Sequence, residues 1–381
     1  MKKIWPFSFY FLYFAANASF LPYLVLYYQS LNFTGSQIGL LFGISPLITL
    51  VGAPFWTGIA DISHRYKLVL SSTLLLSLAL ILIFPSIKTI TAVLLLIAVF
   101  SFLGAPVNSL ADTATISMLG GDKHMYGRVR VGGTFGWGIA APIAGILISK
   151  LGLNWAFWSY AFLMFLGFLV SQKFVFNPIK QDTSYRNGLR ALFSNKRLIL
   201  FLITTLICGI AFTSINLYLF AYMDELGISK SLMGAALGIA TISELPVLFF
   251  SDRLLARFKP HGLLVIAMIA TTLRLFLYVI FDSAEGILVF QLINGVTFSA
   301  LWVAGVSYAN ENAPAGLNAT AQGVFSAMLF GFGSAGGGYL SALLFENAGG
   351  AQMYTIFGVM MLVTLITYLL LEGKIKKSHH F

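Results

Sequence analysis

Apolar runs of about 20 residues, the length that crosses a bilayer, follow one another along almost the whole chain. Short clusters of Gly, Pro, Asn and charge interrupt them. The pattern predicts about twelve helices, with starts near residues 5, 35, 67, 90, 127, 154, 197, 231, 262, 285, 317 and 351. The first run carries Lys2 and Lys3 ahead of it and Ala16-Asn17-Ala18 within it, which imitates a cleaved leader. It continues unbroken to Tyr28, so it reads as a retained first span.

Basic residues fall on alternate loops. Nineteen of the 23 lie on one side, in the groups Lys2–Lys3, Arg65–Lys67, Lys123–Arg130, Lys173–Arg197, Arg253–Lys259 and Lys374–Lys377. The positive-inside rule places both termini in the cytoplasm, which requires an even number of spans. The longest polar stretch divides the chain into an N-terminal six-helix bundle (residues 1–176), a cytoplasmic linker (177–196) and a C-terminal six-helix bundle (197–381).

An internal repeat agrees with that division. Pro54 precedes Arg65-Tyr66-Lys67 by eleven residues, and Pro246 precedes Arg257-Phe258-Lys259 by the same distance. Thr134-Phe-Gly-Trp-Gly138 recurs as Leu329-Phe-Gly-Phe-Gly333, 195 residues on. Parallel repeats of this size are one way in which secondary transporters are built.

Composition fits an all-α integral membrane protein. Only 9% of residues are charged, 58% are hydrophobic, and mean hydropathy is +0.88. Soluble domains carry about 25% charged residues. The net charge of +10 follows the loops, so it reports topology and no nucleic-acid partner. Cys208 is the single cysteine, and no metal-ligand spacing or phosphate loop occurs, so no cofactor or metal is expected. A membrane-embedded transferase would need an interfacial catalytic cluster, which these short loops do not hold.

Four charges remain inside spans: Asp112, Glu244, Arg274 and, about one turn deep, Arg130. A charge there costs several kcal/mol unless paired or wetted. Asp112 and Arg130 flank one short loop. Glu244 and Arg274 occupy corresponding places in the second half. Two direct ion pairs are therefore expected, either as structural pairs or as the lining of a hydrated path for a polar solute. No histidine lies in a span, so a proton carrier there has to be a carboxylate. Glu244, with Arg274 competing for it, is the candidate, and Asp112 the other. Asn17, Asn108, Asn216, Gln291, Asn294 and Thr297 are further polar groups within spans. Arg128, nearer the loop, reads as a topology charge.

These residues resemble a known group. Pro54-Phe-Trp-Thr-Gly-Ile-Ala-Asp61 through Arg65 and Lys67 resembles the loop signature of the major facilitator superfamily, with His64 where a second glycine is usual. Ser243-Glu-Leu-Pro-Val-Leu-Phe-Phe250, Gln291-Leu-Ile-Asn-Gly-Val-Thr-Phe298 and Ala313–Gly323 are similar to the phenylpropionate-permease-like, lactose-permease-related branch. So is Tyr126-Gly-Arg128-Val-Arg130 followed by Gly136-Trp137. The resemblance implies twelve spans in two six-helix bundles in the inner membrane. It implies a monomer surrounded by lipid that moves a small solute, with proton symport.

It also implies site roles. Asp112, Arg130, Trp137, Asn17 and Asn294 would bind a sugar, nucleoside or aromatic carboxylate. Glu244, Arg274 and Asp112 would couple the proton. Asp61, Arg65 and Lys67, with Asp252 and Arg257, would latch the cytoplasmic gate. One departure stands out: the branch's tenth-span His-x-x-Glu reads Asn294-Gly-Val-Thr297. A facilitator or exporter without proton coupling is the alternative.

Overall fold

The computed structural model describes residues 3–120, 125–177, 195–313 and 317–377. The described chain is helical because an apolar segment has to satisfy its backbone polar groups within itself. Helices α1 (Ile4–Ser30), α2 (Gly35–Ser63), α3 (Tyr66–Ser86), α4 (Ile90–Leu119), α5 (Tyr126–Leu151) and α6 (Trp155–Ser171) precede residue 178. They are followed by α7 (Lys196–Glu225), α8 (Lys230–Phe249), α9 (Ser251–Ile280) and α10 (Ala284–Glu311). The final helical stretch breaks at Gly349, where φ is +78°, into α11 (318–348) and α12 (350–377). Among the described residues, ten stretches are long and apolar enough to cross a membrane, and α6 is a shorter apolar helix.

Polar residues set the boundaries. Thr34 caps α2 in a reciprocal box with Gln37. Asn195 Oδ1 accepts from the first backbone N–H groups of α7, and the Ser283 hydroxyl caps α10. Most of the expected linker, residues 178–194, lies outside the described residues, as do Asp122, Lys123 and residues 314–316.

Packing divides the chain into two compact units: Met1–Lys180 with Gly227–Gly238, and Gln181–Leu226 with Ile239–Phe381. The first turns of α8 therefore pack with the first unit, where Gly234 meets Gly145 of α5. Large apolar side chains such as Leu76, Leu95, Phe162 and Leu370 point outward, as a lipid-facing surface requires.

Close helix crossings rest on small residues. Gly132 and Gly136 let α5 lie against α1; a Cβ on Gly136 would fall inside the Phe11 carbonyl. Gly209 of α7 approaches Leu329 and Gly333 in the same way in the second unit.

His64, just ahead of Arg65, has φ +55°, and Lys259, the last residue of the Arg257-Phe258-Lys259 run, has φ +58° and kinks α9. His64 thus occupies the left-handed conformation that the usual glycine of the signature would adopt freely. Beyond that kink, α9 is tied to α12 by His261 Nδ1, which lies 2.5 Å from Glu372 Oε2 and 3.1 Å from Tyr368 Oη.

The α1–α5 crossing predicts a contrast within one helix. Gly136→Ala overpacks the crossing, at a cost of about 1–3 kcal/mol, and lowers the thermal midpoint in detergent. Gly127→Ala meets open space and holds or raises it.

Candidate functional site

Each unit holds one of the two arginines Arg130 and Arg274 in a polar constellation, and the two constellations differ in kind. In the first unit, Arg130 Nη1 donates to Asp112 Oδ1 at 3.2 Å, and both side chains are about one-third exposed (35% and 34%). The expected pairing is therefore present. Tyr10 Oη donates to the same carboxylate oxygen at 2.5 Å and accepts from Thr115 Oγ1 at 3.1 Å. The guanidinium lies 4.8 Å from the Tyr10 ring centre and 5.4 Å from that of Phe14, within cation–π range.

Next to this pair, Asn108 Nδ2 donates to Tyr13 Oη at 3.3 Å, and Asn17 Nδ2 donates to the Tyr13 carbonyl at 2.7 Å. Trp137 is half-buried, two turns further along α5. It makes no hydrogen bond or ring contact to the pair among the described residues. Arg130 spends one of its five N–H donors on Asp112. The arrangement offers a charge-compensated pair with donors and an acceptor to spare, walled by aromatic rings.

Tyr10 and Phe14 were not singled out from the sequence. The spacing Tyr10, Tyr13-Phe14, Asn17 puts these residues on one helical face, which is the signal that could have found them.

In the second unit, Arg274 is 1% exposed, and neutral oxygens surround it. Nε donates to Tyr278 Oη at 2.7 Å, Nη1 to Asn294 Oδ1 at 2.6 Å and Thr297 Oγ1 at 3.0 Å, and Nη2 to Gln291 Oε1 at 2.6 Å. Gln291 Nε2 closes the ring on Tyr278 Oη at 2.9 Å.

The expected direct pair with Glu244 is not formed. Asn294 stands between them, accepting from Arg274 and donating Nδ2 to Glu244 Oε1 at 2.7 Å. The reason is donor–acceptor economy. An amide presents both polarities, so one side chain can face the cation and the carboxylate at once. Asn294 and Thr297, at the positions of the branch's His-x-x-Glu, are therefore both ligands of the arginine. Asn216 faces outward on α7, with Nδ2 on the Phe212 carbonyl.

The expected gate residues are solvent-facing. Asp61 accepts from Tyr66 Oη at 2.7 Å, and Lys67 Nζ donates to the Gln172 carbonyl at 2.5 Å. Arg65, Asp252 and Arg257 are exposed, and Arg257 lies over the Phe258 ring. Arg128 is exposed, with Nη1 3.7 Å from Met125 Sδ. No cluster of three or more metal-ligating side chains occurs among the described residues.

Known proteins share this architecture. A model of the MFS_1-like family matches residues 4–356. The chain is 25% identical over 384 residues to YwbF of Bacillus subtilis (strain 168), an uncharacterised transporter; the match covers 98% of this chain and 94% of that protein. It is 23% identical to the maltose permease of Geobacillus stearothermophilus, with 98% and 95% covered. The multidrug resistance protein MdtG of Rahnella sp. (strain Y9602) is 31% identical over 276 residues, covering 68% of this chain and 67% of its own. The solved structure of the nucleoside transporter NupG matches with a TM-score of 0.86 at 21% identity, covering 97% of this chain and 98% of that one.

The two arginines predict opposite tolerance. Arg274→Lys leaves buried acceptors unpaired, at about 1–3 kcal/mol each, and lowers the thermal midpoint sharply. Arg130→Lys, in a partly exposed pair, changes it little. Equal effects in thermal unfolding would contradict the assignment.

Proposed function

Because the chain belongs to the MFS_1-like family of major facilitator transporters, we propose that this multi-pass membrane protein is a secondary active transporter, a proton symporter for a small neutral solute that carries hydroxyls and a ring. A nucleoside fits this description best and a sugar next. Counting α6 and dividing the last helical stretch at Gly349 gives twelve spans in two six-helix bundles, with both termini cytoplasmic. It works as a monomer in lipid, by alternating access, with Asp61, Arg65, Lys67, Asp252 and Arg257 at the cytoplasmic gate.

The first-unit pair supports the choice of solute. Asp112 already compensates Arg130, so an incoming carboxylate would meet a like charge. Hydroxyls can bond to both partners. Phe14 and, along α5, Trp137 supply faces for a ring, and Asn17 adds a polar edge. The likeness to NupG and to a maltose permease supports the same reading.

The observation that carries proton coupling is the second constellation. Glu244 is a half-buried carboxylate within a span that holds on to an amide in place of a cation. It can exchange a proton while Arg274 stays solvated by its neutral cage. The likeness to MdtG favours export as a second reading.

The test uses purified protein in proteoliposomes, with uridine and maltose as probes. Arg130→Ala weakens binding of the transported probe about tenfold or more, as loss of charged hydrogen bonds does. Glu244→Gln retains solute exchange but loses accumulation driven by a proton gradient. Accumulation by Glu244→Gln at the wild-type level would contradict the coupling role, and probe efflux against its gradient would favour export.

A further inference from the structure

Helices α8 and α10 come into close contact at Ser243 and Gly295. A Cβ on Gly295 would fall inside the Ser243 carbonyl and press on the Cα of Glu244. At this crossing α10 leaves the α-helical course. It runs as a 3-10 turn over Gln291–Ile293 and as a π turn over Gly295–Ser299.

In a regular α-helix the Gly295 N–H would donate to the Gln291 carbonyl, four residues back. Here it donates to Ser243 Oγ at 3.0 Å. The same hydroxyl lies 3.2 Å from the Gln291 carbonyl and 2.6 Å from that of Ala240, either of which can take its one proton. The Gln291 carbonyl also accepts from the Asn294 N–H, the tighter bond of the 3-10 turn. The side chain of one helix thus inserts at another where its α-helical course gives way to 3-10 and π turns. Such insertion is a recognised cause of helix distortion.

The distortion has a geometric effect. In a 3-10 turn the side chains of residues i and i+3 eclipse, so Gln291 and Asn294 share a face. Both reach Arg274. Asn294 also reaches Glu244, the residue next to the inserted hydroxyl.

We propose that Ser243 is a positioning residue: its hydroxyl wedges α10 open so that Asn294 joins Arg274 to Glu244. The transport readout of this proposal rests on Glu244 as the proton carrier; a structural readout does not. Ser243→Ala lets the Gly295 N–H close on Gln291, which straightens α10 and rotates Asn294 away from Glu244.

In proteoliposomes, Ser243→Ala keeps solute exchange within about twofold of wild type but loses about tenfold or more of proton-driven accumulation, the scale on which misplacing a functional group acts. Ser243→Thr, which keeps the hydroxyl, restores accumulation. Wild-type accumulation by Ser243→Ala, parallel loss of exchange and accumulation, or failure of threonine to restore it would overturn the proposal. An experimental structure of Ser243→Ala tests it without transport. A regular α10 across residues 291–299, with Asn294 withdrawn from Glu244, supports it; an unchanged 3-10 and π course overturns it. If Glu244→Gln accumulates solute normally, the coupling reading fails, and the structure alone decides the role of Ser243.

Discussion

A guanidinium inside an apolar bundle has to be solvated by the protein itself, and much of the second unit is arranged around that need. Arg274 finds Tyr278 one turn along its own helix and three acceptors on α10. Those acceptors come from a segment that is irregular over nearly its whole contact with the arginine. Residues three apart lie near one face of a helix, and the 3-10 turn brings Gln291 and Asn294 into line. The irregular backbone and the buried charge meet at this segment.

The first unit solves the same problem by the opposite route. Arg130 is left partly wetted, held by one carboxylate and two aromatic faces. A buried arginine with four of its five N–H donors bonded is fixed equipment. A one-third exposed arginine with donors to spare can release one partner and take another. Identical side chains thus acquire different uses from burial alone, and the same logic separates Arg128, which reaches outward at the end of α5, from Arg130 two residues on.

Helix positions were legible in the sequence because the span pattern depends only on local apolar composition. The starts expected near 35, 90, 127, 197 and 231 fall within one residue of the helices that form, whereas α9 begins at Ser251, ahead of the start expected near 262, and kinks at Lys259. The Asp112–Arg130 contact was legible because a short loop between antiparallel helices brings equal depths together. The Asn294 bridge was not. It depends on a break in α10 that a serine from another helix stabilises, and periodicity along one segment cannot encode an insertion from the next. The left-handed His64 was half legible: the motif marks the site as a glycine position, while the residue itself gives no sign of keeping the conformation. Tyr10 was missed because aromatic residues are common in every span, and a carboxylate partner 102 residues away leaves no local trace.

Solute and proton are proposed to move together through this protein. The direct measurement is the external pH of a weakly buffered suspension of proteoliposomes when uridine or maltose is added. Alkalinisation with the transported probe, absent from vesicles carrying Glu244→Gln, is the predicted result. Uptake of the probe with no change in pH would contradict it.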